Sequence, residues 1–135
     1  HFTTDDDQEG WTLTYNISSI DADDGKLEIT SSSSDPQVYS SDSLGIDTSL
    51  YDKVKVRMMN KTASTAGQMY FITNSDQTWD VNKLATATLT ASDSLYREYT
   101  FDFSDCNDWT GTLKRLRFDP VAATGDVSVD YIKLE

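Results

Sequence analysis

Apolar and polar residues alternate at a period of two along most of this chain, and the last such stretch, Val127-Ser-Val-Asp-Tyr-Ile-Lys-Leu134, runs almost to the final residue. Successive side chains of a strand point to opposite faces, so alternation of this kind builds half-buried sheets. The pattern predicts strands over Trp11 to Asn16, Lys26 to Thr30, Gln37 to Ser40, Lys53 to Asn60, Gly67 to Thr73, Leu84 to Thr90, Glu98 to Phe103, Leu113 to Asp119 and Val127 to Leu134. Turn chemistry separates them. Asp24-Gly25, Asp35-Pro36 and Gly125-Asp126 precede strands, and Lys61-Thr-Ala-Ser-Thr-Ala66 is a small polar connection. Only Asp47-Thr-Ser-Leu-Tyr-Asp52 is a candidate for a helical turn, capped by Asp47. Strands at this spacing with no helices between them predict an all-β fold, an antiparallel β-sandwich of the jelly-roll kind. The first and last strands are expected to pair, bringing the chain ends together.

The alternation also assigns faces. Val54, Val56, Met58, Met69, Phe71, Leu116 and Phe118 are expected in the core, which leaves Arg57, Gln68, Tyr70, Arg117 and Asp119 on a second, polar and aromatic face. Such a face is either a solvated surface of cross-strand ion pairs or a binding surface. Arginine, an amide and a phenol on neighbouring strands supply the fixed hydrogen bonds that sugar hydroxyls require. Trp11, in register with Leu13 and Tyr15, is expected in the core. Trp79, in the polar stretch Asn74-Ser-Asp-Gln-Thr-Trp-Asp80, either folds back as a lid or stands out as a platform for a pyranose ring. Trp109 presents the same choice, with packing beside the following strand favoured.

At 135 residues the chain is long enough for one domain with a real core, and residues 1–135 are read as a single module. No apolar run approaches the length of a bilayer span. The start, His1-Phe-Thr-Thr-Asp-Asp-Asp7, lacks the basic and apolar regions of a leader, which leaves a cytoplasmic chain, a mature one or an excised module open. The net charge of −12 is carried mainly by Asp, a turn former depleted in strands. Its field repels phosphates, so neither nucleic acid nor a membrane surface is an expected partner.

Residues that do covalent chemistry are scarce. The single histidine is terminal His1 and the single cysteine is Cys106, so a nucleophile with a neighbouring base, a zinc site and an internal disulfide all lack support. Paired carboxylates that cleave glycosidic bonds would arise by chance among so many Asp residues. The sequons Asn16-Ile-Ser18 and Asn60-Lys-Thr62 also fit chance in a chain rich in Ser and Thr. Oxygen-rich ligands for calcium are a better candidate: Asp5, Asp7 and Asp130 would approach one another if the first and last strands pair, clipping the ends together. The alternative is that Asp5 to Asp7 form a solvated, self-repelling turn.

The succession Gly10-Trp-Thr12, Ser34-Asp-Pro36, Leu44-Gly-Ile-Asp47, Tyr51-Asp-Lys-Val-Lys-Val-Arg57, Gly67-Gln-Met-Tyr-Phe-Ile-Thr73, Trp79-Asp80, Glu98-Tyr-Thr-Phe-Asp102, Trp109-Thr-Gly111, Leu116-Arg-Phe-Asp-Pro120 and Val129-Asp-Tyr-Ile132 resembles the jelly-roll carbohydrate-binding modules of the galactose-binding-like group. The resemblance covers nearly the whole chain. It implies a noncatalytic, monomeric module of a larger bacterial protein, secreted or on the cell surface, that holds a catalytic domain in cis on a polysaccharide. It also implies a structural Ca²⁺, with Asp130 matching the terminal-strand acid. Binding would lie on the concave sheet face, here Arg57, Gln68, Tyr70 and Arg117, or on loops at one end, here Asp35, Tyr39 and Trp79. The net charge favours a neutral glycan, which local arginines could overrule. A spacer or adhesion module without a sugar site, and a small polysaccharide lyase or hydrolase, are the rival expectations.

Overall fold

Residues 8–135, which the computed structural model describes, resolve the alternation into eleven strands. In chain order these are β1 (Leu13–Tyr15), β2 (Ile17–Asp23), β3 (Lys26–Ser31), β4 (Gln37–Tyr39), β5 (Ile46–Asp47), β6 (Lys53–Asn60), β7 (Ala66–Thr73), β8 (Leu84–Thr88), β9 (Arg97–Asp102), β10 (Thr112–Asp119) and β11 (Gly125–Leu134). A first sheet runs β1-β4-β10-β7-β8, with β5 also paired to β10, and a second runs β2-β3-β11-β6-β9. Every pairing is antiparallel. The fold is the expected antiparallel β-sandwich.

The core lies between the sheets. The seven side chains that alternation assigned to it, Val54, Val56, Met58, Met69, Phe71, Leu116 and Phe118, are all buried. Aromatic contacts bridge the two layers: Phe101 meets Phe118 at 5.9 Å between centroids, and Phe71 meets Phe103 at 5.1 Å. Trp109 completes this cluster as core. Its indole stacks on Phe103 at 4.5 Å, nearly parallel, and its Nε1–H donates to the Tyr51 carbonyl at 2.7 Å. Trp11 is buried as well, but it precedes β1 and so does not share that strand's alternation.

Three expectations change. Among the described residues the first and last strands, β1 and β11, do not pair, because β11 lies between β3 and β6 in the middle of the second sheet while β1 edges the first. The segment after Asp47 is a hydrogen-bonded turn and not a helix, with Asp47 Oδ1 accepting from Ser49 N at 2.9 Å. β2 goes unread in the sequence because a register shift between Ile17 and Ser19 breaks its alternation. Asn16, at φ 56°, is the single residue that carries the chain from β1 in one sheet to β2 in the other. Asp24 and Gly25, at φ 51° and 75°, then form the two-residue hairpin turn expected of that dipeptide.

The connection from β6 to β7 likewise crosses between sheets, and buried Asn60 fastens it. Its Nδ2 donates to the carbonyls of Ser64 at 2.8 Å and Thr90 at 3.1 Å, while its Oδ1 accepts from Thr62 N and Thr62 Oγ1. An asparagine so engaged is no glycan acceptor in the folded protein.

Trp109→Ala should remove about 3–5 kcal/mol of stability, the usual cost of deleting a large core aromatic. Urea unfolding followed by circular dichroism measures it, and a loss under about 1 kcal/mol would contradict the packing role.

Candidate functional site

In antiparallel sheets, directly opposed residues share a face. Register therefore lays a continuous row across the outside of the first sheet: Leu13 opposes Tyr39, Tyr39 opposes Arg117, Arg117 opposes Tyr70 and Tyr70 opposes Leu84. Beside it, Tyr15 opposes Gln37, Asp119 opposes Gln68 and Arg115 opposes Ile72. A register shift between Leu113 and Arg115 lets Leu113 and Leu116 both face inward while Arg115 and Arg117 face out.

The aromatic rings are braced against one another. Tyr39 is buried at 8% exposure and stands near-perpendicular to Tyr15, 5.8 Å away, and to Trp79, 5.4 Å away. Its hydroxyl donates to Gln37 Oε1 at 2.8 Å, and Gln37 Nε2 donates to Asp35 Oδ2 at 3.0 Å. Burial raises the Tyr39 phenol above its ordinary value, which keeps it a neutral donor. Tyr15 itself is 55% exposed and Trp79 half-buried. With Leu13, Asn16, Gln37, Tyr39 and Arg115 they line a depression of about 460 Å³.

The two arginines differ. Arg117 lies 4.4 Å over Tyr70 and donates through Nε and Nη2 to both oxygens of buried Asp119, at 2.8 and 2.6 Å. Desolvation pushes the Asp119 carboxyl up, against the pull of Arg117. Arg115 donates through Nε to the Ser40 carbonyl at 2.9 Å and sits 5.2 Å over Tyr39.

Trp79 is carried by a loop, and that loop is fastened. Thr73 N donates to the Asp76 carbonyl and Asp76 N to Thr73 Oγ1, at 3.0 and 3.1 Å. Buried Lys83 places Nζ 2.9 Å from Asp76 Oδ1. Asp80 then accepts from Asn82 N at 2.9 Å and starts the short 3-10 turn Val81–Lys83.

Solved structures share this architecture. A family 29 carbohydrate-binding module matches with a TM-score of 0.61 at 12% identity, covering 89% of this chain and 73% of that one. A family 6 module from Clostridium stercorarium, solved with cellobiose, matches with a TM-score of 0.57 at 17% identity over 99% and 94%. The low-affinity xylan-binding module CBM86 of Roseburia intestinalis matches with a TM-score of 0.56 at 14% identity over 91% and 93%. The chain has the fold of a jelly-roll carbohydrate-binding module. No family model and no curated protein matches its sequence, and at these identities the likeness is one of fold.

Within this carbohydrate-binding-module fold, Trp79, Tyr70, Gln68, Arg117, Asp35 and Tyr39 gather on one surface, so the sheet-face and loop alternatives merge. Asp35 Oδ1 lies 3.8 Å from Arg117 Nη2, which joins the two sets. Arg57 is the correction. It stands on the outside of the second sheet, paired with Asp130 at 2.6 Å and 5.2 Å over Tyr96. Alternation says inward or outward, and a sandwich has two outsides. Tyr15, expected inward with Trp11, points out, because the strand begins only at Leu13. Arg115 and Gln37 join this surface although neither was among the expected site residues, and each shares alternation with one that was, Arg117 or Tyr39.

Asp130 sits at a register shift between Val129 and Tyr131, with Lys26 Nζ at 3.6 Å besides Arg57. A divalent ion there would have to displace two cations. Among the described residues no group of three His, Cys, Asp or Glu side chains is gathered to hold a metal. Asp5 and Asp7 lie outside the described residues.

The Lys83 hydrogen bond holds the Asp76 carboxyl below its ordinary value. A depressed carboxyl contributes stability above its unfolded pKa and loses it as pH falls through the folded one. Urea midpoints should therefore fall on acidification from about pH 5 to about pH 2, and fall less in Asp76→Asn. Equal slopes in the two proteins would rule out the fastening.

Proposed function

We propose that this module binds polysaccharide on the outside of the first sheet and does no chemistry there. The observation that carries the reading is exposed Tyr15 and half-exposed Trp79 braced on buried Tyr39 around a depression with polar walls. Apolar CH faces of a pyranose stack on such rings, while amides and guanidinium groups satisfy its hydroxyls. Tyr39 is a positioning residue: too buried to stack on sugar, it sets the angle of the two rings that do. Arg117, Gln68 and Tyr70 extend the polar surface towards β8.

Affinity should be modest, because each exposed contact replaces one already made with water. The fold's occurrence in modules described as binding xylan or solved with cellobiose supports a glycan ligand. We further propose that the module is part of a larger secreted or cell-surface bacterial protein, where it would hold a catalytic domain near its substrate. The rival is a spacer with the same fold and no sugar site.

Affinity electrophoresis against plant and algal polysaccharides separates them. Retardation by at least one polymer is expected, weakened about tenfold, or ~1.4 kcal/mol, in Tyr15→Ala and in Trp79→Ala. Arg57→Gln, on the opposite sheet, should be retarded like the native protein. A folded protein that migrates freely through the whole panel, or folded variants that bind undiminished, would favour the spacer.

A further inference from the structure

We infer that the ligand carries a carboxylate, and that Arg115 reads it: the glycan is a neutral chain bearing scattered uronic acid groups. The inference rests on the sugar site proposed above and adds the chemical class of its ligand.

Of the four arginines, Arg57, Arg97 and Arg117 each have a carboxylate within 4.0 Å, from Asp130, Asp93 and Asp119 respectively. Arg115 has none among the described residues, although the chain carries 23 acidic side chains against 11 basic ones. It is also not a loose surface side chain. Its Nε is spent on the Ser40 carbonyl and its plane rests over Tyr39, so the Nη edge has a fixed direction. Arg115 is part of the wall of the depression that Tyr15 and Trp79 share.

A guanidinium has donors only, and its terminal edge matches the two oxygens of a carboxylate. A neutral sugar would satisfy some of the donors and leave the charge uncompensated in a half-buried site. The carboxylate of a uronic acid lies at the rim of the ring, so stacking on an aromatic face and pairing at the ring edge do not compete. Arg117 cannot take this role, since Asp119 already holds both its Nε and Nη2.

The net charge of −12 sets the limit on charge density. At physiological ionic strength fields are screened over about 8 Å, which spares a contact ion pair but not a polyanion laid along the protein. A polymer with a carboxylate on every residue is therefore a poor ligand, and one with sparse carboxylates a good one.

Affinity electrophoresis of the intact module tests this with a xylan bearing glucuronic acid branches and an arabinogalactan bearing terminal glucuronic acid, each beside its carboxyl-reduced form. Polygalacturonate and a sulfated galactan complete the panel. Retardation by at least one branched acidic polymer should exceed that by its reduced form about tenfold, the scale of a charge-assisted bidentate contact. In Arg115→Gln the difference should vanish while weak binding to the reduced polymer persists. Arg115→Lys, which keeps charge without the fork, should fall between. Equal binding of acidic and reduced forms, tighter binding of polygalacturonate or of the sulfated polymer, or an unchanged ratio in folded Arg115→Gln would each overturn the inference. The sugar-site reading fails separately, if Tyr15→Ala and Trp79→Ala bind like the native protein. If no polymer in this panel is bound, the inference falls, while the sugar-site reading falls only if the broader plant and algal panel is unbound as well.

Discussion

Burial of the inward-facing side chains of β7 and β10 governs what the outside of the first sheet can present. Met69, Phe71, Leu116 and Phe118 are closed off between the sheets, each contributing about 1.5–3 kcal/mol by leaving water. Phe71 and Phe118 also touch aromatic rings contributed from the end of β9. A slip of either strand by one residue would expose this set and bury Tyr70, Arg115 and Arg117 in its place. The outer residues therefore owe their direction to side chains that never meet solvent. A site built this way is rigid before any ligand arrives, which reduces the ordering cost of binding.

Charge separates the two outer surfaces. On the second sheet, Lys55 lies 3.3 Å from Glu98, Arg57 2.6 Å from Asp130, and Ser128 Oγ donates to Glu28 at 2.7 Å. Tyr131 donates its hydroxyl to Glu98, and Tyr96 contacts Arg57 and Lys26 across its ring. Such pairs add little stability, but they saturate one another's hydrogen-bonding capacity. On the first sheet the Arg117–Asp119 pair is self-satisfied in this way in the interior of the row, and Tyr39, Gln37 and Asp35 form a second chain beside it. The aromatic rings and Arg115 at its β1 side keep unused faces and donors. That contrast, more than the presence of aromatics, distinguishes a binding surface from a solvated one here.

The core was legible in the sequence because a pleated strand repeats at two residues, and Val54, Val56, Met58, Met69 and Phe71 obey that repeat without interruption. Legibility ended where the repeat was broken or insufficient. β2 carries Ile17, Ile20 and Ala22 inward with a register shift between the first two, so its period of two is broken after Ile17 and too short to read beyond it. Arg57 and Arg117 have identical alternation relative to their cores, yet their strands, β6 and β10, belong to different sheets. Nothing in a strand's own residues records which of two outsides it faces. The neighbours of Asp130, Lys26 and Arg57, follow likewise from β11 lying between β3 and β6, a long-range arrangement that local pattern does not contain.

Tyr39 shows how a buried residue shapes recognition without touching what is recognised. Its ring is shared by Tyr15, Trp79 and Arg115, which come from β1, the 74–80 loop and β10. A loop tryptophan by itself would sample many orientations, and an edge-strand tyrosine would follow the fraying of a three-residue strand. Packing both onto one ring removes that freedom at a single point. The hydroxyl of the same tyrosine, held by Gln37 and through it by Asp35, prevents the ring from sliding along β4. The aromatic and the polar halves of the surface are thus positioned by one side chain, so a change beneath Tyr39 would be felt by the rings and by Arg115 together.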